Sequence, residues 1–327
     1  MKRSTLNVFF IVGPTATGKS DIAADIAQRF DAEIVSADAF QIYHGFDLLS
    51  AKPDALTLAK VPHHLIGTMS ILEEMNAAKF RTLALTAIHE IHSRGKMAIV
   101  AGGSGLYLKA LTHGLDSAPS ADPDLRARLN ELSLADLEKK LHELDPNAVV
   151  DFKNPRRVMR AIEICVLSGK AASARRRWKT VEAAVLSGSA KGVAETATTT
   201  GVFVFRERDD LYERINRRVE KMFEDGVIEE VRAVVAAAVS GGKPMSDAAS
   251  KMIGFREINE LLDGKMSILQ CTAAIQQATR RYAKRQLTWF RRQTNFQPLN
   301  LSGLSHVEAV ERISQFAKTP GVTQGND

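Results

Sequence analysis

Cysteine is scarce in this chain: only Cys165 and Cys271 occur among 327 residues, far apart and without a CxxC spacing. This argues against a disulfide framework and a zinc finger, and it fits the reducing environment of the cytoplasm. The eight histidines are scattered, and only His63 and His64 are adjacent, so no metal-ligand spacing emerges. We interpret PHHLIG, which contains this pair, as the entry to a buried strand.

Long hydrophobic runs are lacking as well. No run of about 18 apolar residues occurs, so we expect no membrane span. The N-terminal MKRSTLNVFFIVG weakly resembles a signal peptide. Its apolar run, however, leads directly into a glycine loop, and cleavage would remove the first strand of the fold. We therefore expect a cytoplasmic protein.

The motif GPTATGKS, residues 13–20, fits the pattern G-x-x-x-x-G-K-[ST]. A predicted strand, LNVFFIV, precedes it, and DIAADIAQRF follows with helical spacing, which is the context that a phosphate-binding loop requires. Backbone N–H groups around Thr15 to Gly18 and the positive end of the helix would bind phosphate oxygens. Lys19 would reach the outer phosphates, and the Ser20 hydroxyl would suit Mg²⁺.

Three further segments read as strands that alternate with helices: AEIVS, KMAIVAGGSG and GVFVFRE. This alternation predicts an α/β fold, a P-loop NTPase-like doubly wound parallel sheet. Ligands of such sheets bind at the carboxyl ends of the strands. We therefore expect the glycine loop, Asp38 and the GGSG turn to converge on one crevice.

The chain changes character after about residue 115. We predict a catalytic core of residues 1–114 and 201–317, and an inserted all-helical subdomain of residues 115–200 that ends in a mobile connection. The C-terminal region is predicted to be helical at 208–224, 227–240, 253–263, 267–292 and 304–317, with a short strand at PLNL. Residues 318–327 are predicted to form a disordered tail.

Two polar residues follow predicted strands near the expected crevice. The third predicted strand along the chain, KMAIVAGGSG, ends without an acidic residue. ATPases with a phosphate loop usually carry an acidic residue at the end of a later strand. The acid instead follows the second strand, as Asp38, where it is either a general base or a cap of the next turn. Ser104 in GGSG either binds phosphate oxygens or caps a strand-to-helix turn.

Basic residues outnumber acidic ones by 44 to 38, for a formal net charge of +6, which suits a polyanionic partner. They cluster in three segments, which contain Arg156, Arg157 and Arg160; Arg214, Arg217 and Arg218; and Arg280, Arg281, Lys284, Arg285, Arg291 and Arg292.

In the last segment a predicted helix face carries Arg281, Arg285, Thr288 and Arg292, with Tyr282 and Trp289 interleaved. Such a stripe can bind a phosphate backbone and stack on bases. The alternative is a solvated basic helix face. Because three such segments accompany a phosphate loop, we favour nucleic-acid binding.

Seven blocks, taken in order, carry a family resemblance. They are GPTATGKS, IVSADAFQIYHGFDLLSAKP, PHHLIG, VAGGSGLYLKAL, NPRRVMRAIEICVLSGK, LYERINRRVEKMFEDGVIEEV and AKRQLTWFRRQ. Together they resemble the landmarks of the tRNA dimethylallyltransferase family over residues 6–292. The resemblance implies transfer of a dimethylallyl group from dimethylallyl diphosphate to N6 of the adenosine 3′-adjacent to the anticodon, in tRNAs reading U-initial codons. It implies Mg²⁺ as cofactor and no use of ATP.

The resemblance also implies that the inserted subdomain of residues 115–200 binds tRNA, and it assigns roles to single positions. Asp38 would be the general base, and Lys19, Ser104 and Arg218 would complete the catalytic set, with Ser20 as metal ligand. The diphosphate would be held by Gly13, Pro14, Thr15, Ala16, Thr17, Gly18, Lys19 and Ser20. The tRNA anticodon stem-loop would contact Asp38, Ala39, Phe40, Gln41, Ser104, Arg126, Arg156, Arg157, Val158, Met159, Arg160, Lys251, Met252, Ile253, Gly254, Phe255, Arg256, Lys284, Arg285, Gln286, Leu287, Thr288, Trp289, Phe290 and Arg291.

The sequence departs from the family at Ala39, where the family usually has Ser, and at Leu49-Ser50, where it has Gly-Thr. Three alternatives stay open: a small-molecule kinase that binds ATP, a prenyltransferase acting on free adenine nucleotides, and an inactive RNA-binding protein. The first leaves the basic C-terminal helix unexplained, the second has little use for the insert, and the third has no need of Asp38, Lys19 and Ser20 together. We expect a monomer.

Overall fold

The structure is a computed structural model that describes residues 8–115, 119, 122–174, 200–242, 244–293 and 295–318. The predicted tail therefore lies outside the described residues, except for Lys318, and so does the predicted connection after residue 174. Within the described ranges, no helix is both long enough and apolar enough to cross a membrane. The two cysteines are free and buried.

Six parallel strands form one sheet in the order β3-β2-β4-β1-β5-β6. Their bounds are β1 Val8–Val12, β2 Ala32–Ala37, β3 His63–His64, β4 Met97–Gly102, β5 Thr200–Phe205 and β6 Gln297–Asn300. The strands that we predicted are all present, and PHHLIG supplies β3 at the sheet edge. Its two histidines are half-buried rather than buried.

Thirteen α-helices are described, together with a short 3-10 turn at Ala172–Ala174. Their bounds are α1 Lys19–Arg29, α2 Ala55–Lys60, α3 Ala77–Ser93, α4 Gly105–His113, α5 Pro123–Asn130, α6 Leu134–Leu144, α7 Pro155–Ser168, α8 Arg208–Glu224, α9 Val227–Ser240, α10 Asp247–Ser250, α11 Phe255–Leu262, α12 Ile268–Phe290 and α13 His306–Lys318. The long helix α12 begins with a capping box, in which the Ser267 and Gln270 side chains bond reciprocally to the backbone.

The sheet is covered on both faces, as a doubly wound fold requires. Strand β1 is buried throughout. Its Phe10 and Val12 pack in one core with residues of α3, α9 and α12, whereas Phe9 and Ile11 pack in a second core with α1 and α13. The alternation of β1 between two apolar cores explains why its sequence is a continuous hydrophobic run, and it confirms the predicted fold class.

The chain divides into two compact units, Met1–Thr112 with Val181–Asp327, and His113–Thr180. The first unit contains the sheet, α1 to α3 and α8 to α13. The second contains α5, α6 and α7, whose leucines and other apolar residues form a core of their own. The second unit begins two residues earlier than the predicted subdomain, and the predicted boundary at residue 200 follows a stretch outside the described residues.

Candidate active site

The phosphate loop connects β1 to α1 and lies at the carboxyl end of the sheet. Gly18 caps α1 with a left-handed backbone at φ 88°, a conformation that favours glycine. A Cβ at Gly13 would lie 2.1 Å from the carbonyl oxygen of Val204 on β5, so only glycine fits there. The loop is closed internally, because Thr17 Oγ1 and Lys19 Nζ donate to the Pro14 carbonyl at 3.0 and 3.2 Å.

Three arginines contact the loop, one from the connection after β5 and two from α8. Arg206 Nε donates to the Thr17 carbonyl at 3.0 Å, and Arg214 Nε donates to the Ala16 carbonyl at 2.9 Å. Arg218 Nη1 donates to Thr15 Oγ1 at 2.8 Å. Arg214 and Arg218 are one helical turn apart, so the second basic segment turns part of its charge toward the phosphate loop, whereas Arg217 is exposed.

Half-buried positive charge suits this loop to an anion. Arg218 Nε is buried and has no hydrogen-bond partner among the residues that the structure describes. Burial lowers the pKa of Arg218 to about 10, against which the charge of Asp38 acts. Burial likewise lowers the pKa of Lys19 to about 8, with Asp38 acting against it and Arg218 adding to it. A dianionic ligand would supply negative charge to balance these two cations.

The lowered pKa of Lys19, about 8, predicts pH-dependent anion binding. Lys19 is charged at pH 7 and loses its proton as the pH rises through 8, so that its attraction for a phosphate oxygen is lost at alkaline pH. The affinity for inorganic diphosphate is expected to fall about fivefold between pH 8 and pH 9, as one proton-linked site requires. Isothermal titration calorimetry at constant ionic strength measures this change.

The matched control is Lys19→Ala, titrated over the same pH range. This variant should bind diphosphate more weakly and lack the part of the pH dependence that belongs to the lysine. The ligand's own ionisation contributes equally to both proteins, so the difference between the two profiles isolates Lys19. Identical profiles would contradict the assignment.

Asp38 follows β2 and lies at the crevice, as predicted. Its Oδ1 accepts hydrogen bonds from the backbone N–H groups of Phe40 and Gln41 at 3.0 and 3.4 Å. The capping geometry that the sequence left open is therefore present. It does not remove Asp38 from the crevice, since the same residue lines both cavities of the site.

Ser104 is buried at the start of α4, and its Oγ accepts from the Ala39 N–H at 2.9 Å. The serine thus ties the turn after β4 to the turn after β2. Tyr282 on α12 lies beside it: burial raises the pKa of the Tyr282 hydroxyl, the charge of Asp38 raises it further, and contacts with Ser104 and Gln286 oppose the rise. Tyr282, which we predicted as a stacking residue on a basic face, instead faces the crevice.

Gln286 bridges two loops of the site. Its Oε1 accepts from Thr15 N at 3.0 Å, and its Nε2 donates to the Gly103 carbonyl at 2.9 Å. A Cβ at Gly103 would lie 2.8 Å from the Gly13 carbonyl oxygen, as well as 2.4 Å from this Nε2, so the backbone contact requires glycine in the turn. Sequence reasoning placed Gln286 against tRNA, but the side chain is buried and positions the phosphate loop. Its only sequence signal was its place on the apolar stripe of α12.

Two cavities meet at Thr15, Asp38 and Arg218. The phosphate cavity, of about 450 Å³, is lined by the loop residues Lys19 and Ser20 and by Arg214 and Lys221, among others. The apolar pocket, of about 50 Å³, is lined by Leu49, Val219, Met222, Met252 and Ile275, with Tyr282 at its polar side. The arrangement suits a ligand with a charged phosphate end and a small hydrocarbon end, whose junction lies beside Asp38.

Several residues that the resemblance assigns to tRNA contact have side chains buried in the cores of their own units. These are Val158, Met159, Met252, Gln286 and Phe290. Helix periodicity explains the burial: a continuous run of residues includes both faces of a helix, and one face packs inward. Their contact with tRNA stays a prediction. Within the same blocks, Arg156, Arg157, Lys284, Arg285, Thr288 and Arg291 are exposed.

Arg126 and Arg160 meet at a buried carboxylate. Arg126 donates two hydrogen bonds to Glu163, Nε to Oε1 at 2.6 Å and Nη2 to Oε2 at 2.8 Å, while Arg160 Nη1 donates to Oε2 at 2.9 Å. Glu163 is fully buried. The charge of Glu163 offsets part of the charge of Arg126 and Arg160. It fixes both guanidinium groups within the second unit, where they remain partly exposed.

The Trp289 side chain is only partly exposed, which limits its surface for stacking on a base. Its indole packs against Gly105 at the start of α4, where an added Cβ would lie 2.6 Å from the ring. It also meets Phe290 edge-on, with ring centroids 4.9 Å apart. Arg281, Arg285, Thr288 and Arg292 form an exposed stripe on α12, as predicted.

The oxygen ligands near the phosphate loop suit a magnesium ion that binds together with a diphosphate. Within the described ranges, no group of three or more His, Cys, Asp or Glu residues could hold a metal on its own. Mg²⁺ is often bound through one or two protein oxygens, several waters and substrate phosphates. The Ser20 hydroxyl lies at the wall of the phosphate cavity, where it would supply one such oxygen.

The sequence is similar to a known family and to many of its members. A sequence model of the family described as IPP transferase matches residues 41–293. The chain is 39% identical to tRNA dimethylallyltransferase 1 of Citrifermentans bemidjiense over 92% of this chain and 94% of that one. It is 39% identical to the tRNA dimethylallyltransferase of Chlorobium phaeobacteroides over 95% and 96% of the two chains.

Solved structures agree with these sequence matches. The full-length tRNA isopentenylpyrophosphate transferase of Bacillus halodurans superposes with a TM-score of 0.66 at 33% identity, covering 95% of each chain. A eukaryotic dimethylallyltransferase acting on tRNA superposes with a TM-score of 0.74 at 23% identity, over 94% of this chain and 77% of that one, which supports the fold. From the family model and the curated relatives, this chain belongs to the IPP transferase family.

Proposed function

We propose that this protein transfers a dimethylallyl group from dimethylallyl diphosphate to N6 of the adenosine 3′-adjacent to the anticodon in tRNAs reading U-initial codons, releasing diphosphate. The observation that carries the proposal is the placement of Asp38 where the phosphate cavity meets the apolar pocket. The family membership gives this geometry its reaction, since the curated relatives are named tRNA dimethylallyltransferases.

The donor would lie across both cavities. Its diphosphate would bind to the backbone N–H groups of the phosphate loop and to Lys19, with Arg218 on the opposite side. Its hydrocarbon group would enter the apolar pocket between Val219 and Met222 of α8 and Ile275 of α12. The carbon that reacts would then lie near Asp38, at the junction of the two cavities.

The acceptor needs a base. The lone pair of an exocyclic adenine amine is delocalised into the ring, so the amine is a weak nucleophile until its proton is removed. Asp38 would take that proton as N6 forms a bond to C1 of the dimethylallyl group. The C1–O bond breaks in the same reaction, and its electron pair leaves with the diphosphate.

The leaving group gains negative charge as this bond breaks. Lys19 and Arg218, fixed before the reaction by the loop contacts described above, would stabilise that charge. Mg²⁺, held through Ser20 and the phosphate oxygens, would neutralise part of it. The absence of an acid after β4 and the position of Asp38 favour a departing diphosphate over phosphoryl transfer, so the kinase alternative has less support.

The direct experiment is incubation with dimethylallyl diphosphate, Mg²⁺ and unmodified tRNA, followed by nucleoside analysis. We expect N6-dimethylallyladenosine at the position next to the anticodon. Prenylation of AMP but not of tRNA would identify the free-nucleotide alternative. ATP hydrolysis without prenyl transfer would identify a kinase-like enzyme, and tRNA binding without either reaction would identify an inactive RNA-binding protein.

The acceptor tRNA would be bound by exposed basic residues, and the target base would have to leave its stack to reach Asp38. We predict that replacing Arg281 and Arg285 together by glutamine weakens tRNA binding and flattens its salt dependence. If each arginine contacts one phosphate, the negative slope of the logarithm of the tRNA association constant against log salt concentration becomes shallower by roughly 1.5. Filter binding over a salt series measures both effects.

The control is Lys265→Gln, which removes one exposed charge from the turn before α12, where Lys265 pairs with Asp263. This variant should retain the wild-type slope. A double variant of Arg281 and Arg285 with an unchanged slope would show that the stripe on α12 is a solvated face, as the sequence alone allowed.

A further inference from the structure

One carboxylate outside the crevice binds three consecutive backbone N–H groups of the crevice wall. Glu230 on α9 accepts from Asp47 N at 2.8 Å, from Leu48 N at 2.7 Å and from Leu49 N at 2.9 Å. Hydrogen bonds to a charged acceptor are stronger than neutral ones. Glu230 therefore fixes the backbone of the turn that runs from Asp47 to Ala51.

The same turn is fixed at its other end. The Ala51 N–H donates to the Leu48 carbonyl at 2.9 Å, and Gln41 Nε2 donates to the Ala51 carbonyl at 2.9 Å. Ala51 adopts a left-handed backbone at φ 51°, which an alanine rarely does without such support. The turn is thus held rigidly although it lies at the surface of a cavity.

Rigidity of the turn fixes the position of Leu49. This side chain is buried and lines the apolar pocket together with Ile275 and Met252. A Cβ added to Gly254 would lie 2.8 Å from Leu49 Cδ1 and 3.2 Å from Ile275 Cδ1. Leu49 and Ile275 therefore both pack against Gly254 at the wall of the pocket.

The pocket is small. Its volume is about 50 Å³, compared with roughly 150 Å³ for an engineered cavity that binds benzene. A short branched hydrocarbon fits when its first atoms remain in the junction beside Asp38. A second five-carbon unit in line with the first would have to displace Leu49 or Ile275.

We propose that Leu49, positioned by Glu230, closes the apolar pocket and sets the length of the prenyl chain that this protein accepts. Leu49 is the specificity-determining residue, and Glu230 acts through it as a positioning residue. The inference rests on the proposed function for its assignment of the pocket to the prenyl chain.

The test compares the binding of dimethylallyl diphosphate with that of geranyl diphosphate, which is one five-carbon unit longer. Calorimetry without tRNA measures both affinities, and inorganic diphosphate reports an intact phosphate cavity. Wild-type protein should prefer the shorter donor by about tenfold or more, and Leu49→Ala should remove most of that preference. Glu230→Gln should reduce the preference for the shorter donor by a smaller factor. The neutral amide has one acceptor oxygen and cannot accept from all three N–H groups of Asp47, Leu48 and Leu49.

The matched control is Glu229→Gln on the same helix. Glu229 is exposed and pairs with Arg232, so this variant should keep the wild-type preference. A Leu49→Ala protein that binds inorganic diphosphate normally and keeps the full preference would overturn the inference. If Leu49→Ala no longer binds inorganic diphosphate, Ile275→Ala is tested instead. The same two measurements apply to it: the preference for dimethylallyl over geranyl diphosphate, and the affinity for inorganic diphosphate.

The binding assay separates this inference from the reaction itself. A wild-type protein that discriminates between the two donors, and loses discrimination in Leu49→Ala, supports the inference even if it transfers nothing to tRNA. In that case the proposed function alone fails. A wild-type protein that binds both donors equally overturns the inference, whatever its activity on tRNA.

Discussion

Replacing Asp38 by asparagine is expected to lower kcat for prenyl transfer by about 10²–10⁴-fold, the range of a lost general base. The affinity for tRNA should remain close to that of the wild type. Asparagine is the informative change because it keeps the Oδ1 acceptor that binds the N–H groups of Phe40 and Gln41. The turn after β2 is thus retained while the proton acceptor is removed. Single-turnover transfer with saturating tRNA measures the effect.

The control for this experiment is Asp122→Asn. Asp122 caps α5 by the same geometry, accepting from Asp124 N at 2.9 Å and from Leu125 N at 3.0 Å. Loss of its charge should leave kcat unchanged. An Asp38→Asn protein with wild-type kcat would show that the carboxylate is only a turn cap, which was the second interpretation of the sequence.

Replacing Arg218 by glutamine is expected to lower kcat by about 10²–10³-fold, as for removal of one preorganised donor to a charged transition state. The side chain is half-buried, its Nη1 donates to Thr15 Oγ1, and its buried Nε has no partner within the described ranges. A diphosphate would satisfy that group, and the requirement grows as the leaving group gains charge. Arg218→Lys should recover only part of the loss, because an ammonium lacks the planar array of donors.

The neighbouring residue provides the control. Arg217 lies next to Arg218 in α8 but is exposed and pairs with Glu213 within the helix. Arg217→Gln removes the same charge from the same helix and should leave both kcat and the KM for the donor unchanged. Equal losses in the two variants would mean that net charge, rather than the guanidinium of Arg218, determines the rate.

Much of the fold could be predicted because its signals are local. The phosphate loop is a contiguous motif, and its strand, turn and helix are determined by neighbouring residues. Helix α8 was predicted at the bounds that the structure gives, 208–224. Charged and apolar residues alternate there with a clear helical period. The parallel order of the strands also follows from alternation of strands and helices, since each crossover needs a covering helix.

The candidate site could be predicted only in part, because much of it depends on contacts between distant segments. Asp38 and Lys19 were found from strand ends and from a motif. The support that Gln286 gives to the phosphate loop was not predicted, since its contact with Thr15 spans 271 positions of sequence. Arg206 was missed for the same reason: nothing near it in sequence indicates that its guanidinium binds the Thr17 carbonyl.

The sequence by itself determined the chemical groups of this protein: a phosphate loop, a carboxylate after the second strand and a basic C-terminal helix. Only the tertiary structure decided which groups act together. Residues three or four apart on a helix share a face, but the sequence does not state which face packs inward. Packing turned Arg218 toward the phosphate loop and left Arg217 exposed, turned Gln286 toward the same loop, and placed Glu230 against the backbone N–H of Leu49. These choices follow from burial and hydrogen-bond satisfaction, which depend on the whole fold.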